Sequence, residues 1–151
     1  MMDASMKRKV RAALRRGRAR IADPESWIQG ACMQDDGGND ASESAREPMF
    51  DGDKGPGEPS KFCASGALDV DSASSPVLRR ASAALDRAAL ALDPTVAAVH
   101  GSAAAAFNDA RTHAEVMTMY DVALALVGAL PPAHDCDTCR SQRAKQADGD
   151  G

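Results

Sequence analysis

Only five aromatic side chains occur in this chain of 151 residues, one Trp, one Tyr and three Phe, whereas alanine fills roughly a fifth of the positions. Any core must therefore be built from small residues. A fully buried Leu or Val contributes roughly 1.5–3 kcal/mol and Ala far less, so few positions can carry the stability. The length favours one domain with a modest core. The longest apolar stretch, Val122 to Leu130, is far shorter than the ~20 residues a bilayer-spanning helix needs, and no membrane association is expected.

Charge is distributed in blocks. Residues 1 to 20 hold eight Lys or Arg against one Asp, and residues 21 to 60 hold two against ten, within a net charge of −4. A basic arm beside an acidic loop can satisfy itself within one molecule. With a sequence pI near 5.3 and few aromatics for base stacking, nucleic acid is not the expected partner of Arg15, Arg16 and Arg18. The basic start lacks an apolar export region, so the four cysteines, Cys32, Cys63, Cys136 and Cys139, are expected as reduced thiols in the cytoplasm.

Punctuation along the chain points to an all-α fold of about five short helices. Ser5 to Ala22 places Met6, Val10, Ala13, Leu14, Gly17 and Ile21 at helical spacing. Asp23-Pro24 then gives a cap followed by proline at the first helical position, predicting a short turn that carries Trp27 and ends at Gly30. Ser60 to Val70 is a short helix candidate. Ser75-Pro76 opens a helix whose apolar stripe, Val77, Ala81, Ala84, Leu85, Ala88 and Leu92, stops at Asp93-Pro94. Thr95 to Phe107 is alanine-rich and expected to be helical, although Gly101 and Ser102 weaken it. Thr112 and Glu115 have the spacing of a capping box, from which a last helix runs toward Gly128, with a buried strand over Val122 to Leu130 as the alternative. The helical domain is expected over residues 5–130, with a long acidic loop at 33–60 and a loose polar tail at 131–151. Two near-motifs in that loop fail. Glu58 stands where a phosphate loop needs lysine, and Gly55, Pro56 and Phe62 break the calcium-loop pattern begun by Asp51 and Asp53.

Three segments in order, ADPESWIQG (22–30), FCASGAL (62–68) and FNDARTHAEV (107–116), make the chain resemble a bacterial domain-of-unknown-function family, number 6197. The likeness spans about residues 8–130 and rests on Trp27, Gly30, Cys63, Gly66, Ala67, Asn108, Asp109, Arg111 and Thr112. Phe62 and Phe107 stand where the family typically has tryptophan, and the acidic loop is longer than usual. The resemblance implies a small intracellular helical domain and brings no activity, substrate or cofactor with it.

The residues themselves leave several roles open. Trp27 is a core anchor or a ligand contact. Asn108, Asp109, Arg111 and Thr112, read as a polar run just ahead of a helix start, either cap that helix or hold a small anion there. Cys63 packs as a small apolar residue or serves as a nucleophile, with His113 as base and Asn108 or Asp109 as orienter. His113-Ala-Glu115 followed by Cys136-x-x-Cys139 has the residue types of the zinc nucleobase and nucleoside deaminases. His113, Cys136 and Cys139 would then bind zinc and Glu115 would move the proton. Against that stand three intervening residues between Pro132 and Cys136 and an upstream region without strands. His134, Cys136 and Cys139, completed by Cys32, are a purely structural metal alternative. The leading expectation is a binding or interaction module without a cofactor, taking a protein partner or a small anionic ligand. A zinc-dependent hydrolase of the deaminase type is the alternative.

Overall fold

In a computed structural model, which describes residues 2–41, 58–70, 75–96 and 101–128, helix α1 runs from Ala4 to Arg20. The Asp3 carboxylate accepts from the Met6 amide at 2.8 Å and so satisfies one of the donors every helix start leaves open. Val10, Ala13, Leu14 and Gly17 form its buried stripe. The chain then makes a single 3-10 turn, Pro24–Ser26, with the Asp23 side chain accepting from the Glu25 amide; the turn starts where the Asp-Pro pair predicts but is shorter than expected, because Trp27 is already extended and bridges Phe62.

Two short strands follow, β1 (Met33–Gln34) and β2 (Lys61–Phe62), paired antiparallel with Met33 opposite Phe62 and Gln34 opposite Lys61. This ribbon corrects the expectation of helix across Ser60 to Val70. Lys61 and Phe62 pair with β1, and Ile28 donates its amide to the Phe62 carbonyl at 3.1 Å, so helix begins only at α2 (Gly66–Asp69). Between the strands, the described part of the acidic loop folds around Asp35, whose Oδ1 accepts from the Gly37 and Asn39 amides, both at 2.9 Å. The rest of that loop, residues 42–57, and the whole 131–151 tail lie outside the described residues.

Helix α3 (Pro76–Leu92) starts where Ser75-Pro76 predicts, with the Ser75 hydroxyl accepting from the Leu78 amide. The alanine-rich helix is displaced from its expected span: α4 runs Ala103–Ala110. Gly101 and Ser102 form its boundary. Gly101 adopts a left-handed φ of 78°, and the Ser102 hydroxyl accepts from the Ala105 amide while donating to Asp86 on α3. Asn108 and Asp109 therefore sit in the last turns of α4, not in a loop ahead of the next helix. Helix α5 (His113–Gly128) opens on the expected capping box, with Glu115 Oε2 accepting from the Thr112 amide at 2.9 Å, and it stays helical where a strand was the alternative.

Helix α3 packs against α1, α4 and α5, while α1 also contacts α5 and α2. Among the described residues, Tyr120, Leu14, Ile21, Leu68, Leu85 and Met119 are the largest fully buried side chains, joined by many alanines. Three arginines of α1 are used inside the fold: Arg11 donates to the Leu124 carbonyl, Arg18 forks onto Asp121, and Arg20 reaches the Ala67 carbonyl. No helix among the described residues is long and apolar enough to cross a membrane.

Gly17 lets α1 approach the centre of the core closely. A Cβ there would stand 2.7 Å from the Tyr120 hydroxyl and 2.8 Å from Leu68. Helix propensity alone would make Gly17→Ala stabilising by ~1 kcal/mol, whereas overpacking costs ~1–3 kcal/mol. Gly17→Ala is expected to lower the thermal midpoint in calorimetry, and a rise would contradict this packing.

Candidate functional site

Asn108 is fully buried at the end of α4, and its carboxamide makes four hydrogen bonds, the full complement of two donors and two acceptor sites. Oδ1 accepts from Trp27 Nε1 at 2.7 Å and from the Ala64 amide at 3.0 Å. Nδ2 donates to the Ile28 carbonyl at 3.0 Å and to Asp109 Oδ1 at 3.1 Å. Three remote stretches, the Trp27 segment, the β2–α2 turn and α4, are thereby tied to one group. Gln29 adds to this by donating to the Asn108 and Arg111 carbonyls, at 3.0 and 2.8 Å, which an ending helix leaves open. The Gly30 amide donates to Asp109 Oδ1 at 2.8 Å, with Gly30 in the left-handed region at φ 72°.

The remaining predicted residues gather beside this knot. Arg111 pairs with Asp93, lies 3.6 Å from the Glu115 carboxylate, and covers the Phe107 ring at 5.4 Å. Bonds from the Thr95 hydroxyl and amide, and then from Arg111, hold Asp93 below its usual carboxylate range. Glu115 is lowered chiefly by the Thr112 amide and hydroxyl. His113 Nε2 is 2.6 Å from the Ile21 carbonyl, so that nitrogen carries the proton, and its ring lies 5.5 Å from Trp27 at a tilt of 56°. The two deaminase-type residues of α5 thus have partners within the fold, and Cys136 and Cys139 lie outside the described residues. Among the described residues no group of three or more His, Cys, Asp or Glu is placed to hold a metal.

Cys63 sits instead at a cleft of 370 Å³, bounded by Gly30, Cys32, Cys63, Ser65, Ala105 and Asp109. Its amide donates to the Cys32 carbonyl at 2.9 Å, and its sulfur accepts from the Gly66 amide at 3.2 Å. The hydrogen-bonded Cys32 thiol is the largest influence holding the Cys63 thiol below its ordinary range; burial opposes it, and the Gly66 and Ser65 amides reinforce it. Gly66 is required here by close approach, because a Cβ would collide with the Cys32 carbonyl oxygen. Below the cleft, the Tyr120 hydroxyl donates to the Ala64 carbonyl at 2.7 Å, and burial pushes its own ionisation far up.

Two members of this site escaped the sequence reading. Gln29 has no local motif, and Cys32 entered only as a possible completing metal ligand. The signal for Cys32 would have been the pairing of residue 33 with residue 62, which two-residue strands do not announce.

Asn108→Ala would leave the Trp27, Ala64 and Ile28 groups without their partner. At ~1–3 kcal/mol for each orphaned group that stays buried, a loss of ~3 kcal/mol in denaturant unfolding is expected, with a red shift in the emission of the single tryptophan. Asp93 and Glu115 are depressed in the folded state, so their stabilisation is complete above the usual carboxylate values of 3.8 and 4.5 and is lost as pH falls through their lower folded values. Glu115→Gln is therefore expected to lower the thermal midpoint at pH 7 more than at pH 3.

No curated protein and no solved structure matches this chain. One family model does, over residues 6–126, which is most of the sequence and includes the Asn108 knot and both cleft cysteines. The chain belongs to DUF6197, a family of unknown function.

Proposed function

We propose that this chain is a binding module whose ligand occupies the cleft between the Gly30–Cys32 segment, the β2–α2 turn and α4. The observation that carries the reading is the cleft itself, 370 Å³ in volume and bordered by segments that the Asn108 carboxamide fastens together. That volume lies within the range of small-molecule sites, ~300–1,000 Å³. Small and apolar groups such as Ala31, Ala105 and the two thiols dominate its walls, with the Asp109 carboxylate among them. The ligand class is accordingly a small, mostly apolar molecule with one hydrogen-bond donor for Asp109. A neutral or cationic group suits this site better than an anion, since Arg111 is engaged by Asp93 and Glu115. Trp27 and Asn108 act as positioning residues for the walls, and Arg111 and Thr112 frame the start of α5.

A fragment screen by ligand-observed NMR tests this. Hits are expected whose signals vanish with Ala105→Phe, which fills the cleft, and persist with Arg111→Ala. Acidic fragments lost only with Arg111→Ala would place the site at the start of α5 instead. One equivalent of zinc in the purified chain, lost in both His113→Ala and Cys136→Ser, would favour the deaminase-type reading over this one.

A further inference from the structure

Cys32 and Cys63 continue the β1–β2 pairing by one step, since Met33 opposes Phe62 and the next pair outward is Cys32 with Cys63. Directly opposed residues of an antiparallel pair hold their Cβ atoms ~4.5–5.5 Å apart, adjoining the ~3.5–4.5 Å that a disulfide spans. Both sulfurs lie against Gly66, and the two side chains are within hydrogen-bonding reach of each other. The Gly66 amide donates to Cys63 Sγ at 3.2 Å, and a Cβ on the same residue would lie 3.1 Å from Cys32 Sγ. Both residues are present as thiols, both border the cleft, and Cys32 is the more exposed of the two. We infer that Cys32 and Cys63 form a dithiol–disulfide exchange site, with a low-molecular-weight disulfide as its co-substrate.

Cys32, reachable from the cleft, attacks one sulfur of RSSR. A Cys32–SR bond forms, the RSSR bond breaks, and the departing thiolate takes up the proton given up by Cys32. Cys63 then attacks the Cys32 sulfur, closing the intramolecular disulfide and expelling the second RS⁻, which is protonated by the proton from Cys63. Two electrons pass from the dithiol to one RSSR, yielding two RSH. Once Cys32 has become the mixed disulfide it no longer has a hydrogen to donate, and the Gly66 and Ser65 amides are what remain to favour the Cys63 thiolate for this second, resolving step. The inference goes beyond the binding reading and does not depend on it, because it is read from sulfur chemistry and not from ligand occupancy.

The test uses the full chain carrying Cys136→Ser and Cys139→Ser, which leaves Cys32 and Cys63 as its only cysteines. On incubation with oxidised glutathione both thiols are expected to disappear together. The product should retain no glutathione, be lighter by two hydrogens, and yield a Cys32–Cys63 linked peptide that dithiothreitol reverses. Adding Cys63→Ala should stop the reaction at a single glutathione on Cys32. Adding Cys32→Ser should slow consumption of the remaining thiol at least tenfold, and this variant carries the comparison if Cys63→Ala fails to fold. Two retained glutathiones, a disulfide between chains, or two unreacted thiols would overturn the assignment.

Discussion

The Asn108 carboxamide is the group on which the surrounding loops depend. Its partners, Trp27 and Ala64, lie 81 and 44 residues away in sequence, and neither belongs to a helix that could hold it in place independently. A buried amide with all four hydrogen-bonding sites used specifies one arrangement, because any displaced segment would leave a polar atom without a partner. The helices α1, α3 and α5 pack through apolar side chains, from alanines to Leu14, Leu85 and Met119, and need no such group. The non-helical part of the described fold does, since β1 and β2 are only two residues each and bury little by themselves.

The cleft follows from this arrangement. Fastening the Trp27–Gly30 segment to α4 brings Cys32 in front of Cys63, and Gly66 keeps the β2–α2 turn close enough for the Cys32 backbone to touch it. On the opposite side, Tyr120 anchors Ala64 from the core, so the turn bearing Cys63 is held between a phenol and a carboxamide. The sulfur pair is thus displayed by rigid contacts and not by a free loop. Arg111 belongs to a neighbouring arrangement, in which Asp93, Glu115 and Phe107 join the end of α3 to the turn between α4 and α5.

Those features that depend on local chemistry were legible in the sequence. Asp23-Pro24, Ser75-Pro76 and the Thr112–Glu115 box each act within a few residues, and each marks the turn or helix start it implies. The amphipathic stripe of α1 was equally readable, while that of α3 was readable only in its middle: Ala81, Ala84, Leu85 and Ala88 are buried as expected, but Leu78 and Ala89 are buried in place of Val77 and Leu92, and Leu92 is exposed. The start of α4 was less readable, because a run of alanines offers no periodic contrast and its boundary is fixed by the left-handed Gly101, the Ser102 cap and the contacts of Ser102 and Ala104 with Asp86. The ribbon was hidden for a related reason: two residues cannot display an alternation, and Lys61-Phe62 becomes strand only through its partner. The polar run at 108–112 stands out in the sequence, but the role of Asn108 within it rests on contacts with Trp27, Ile28 and Ala64 that no local pattern encodes. Cys136 and Cys139, prominent in the sequence, lie outside the described residues.

That one carboxamide unites these segments is tested most directly by amide hydrogen exchange, residue by residue, in the native chain and in Asn108→Ala. The amides of Ile28, Gly30, Cys63 and Ala64 all donate within the tied segments, although only the last donates to Asn108 itself. The expected result is that all four lose protection together in the variant while the amides of Leu14 and Leu85, within α1 and α3, keep theirs. Loss confined to Ala64, with Ile28, Gly30 and Cys63 unchanged, would contradict the central place given to Asn108.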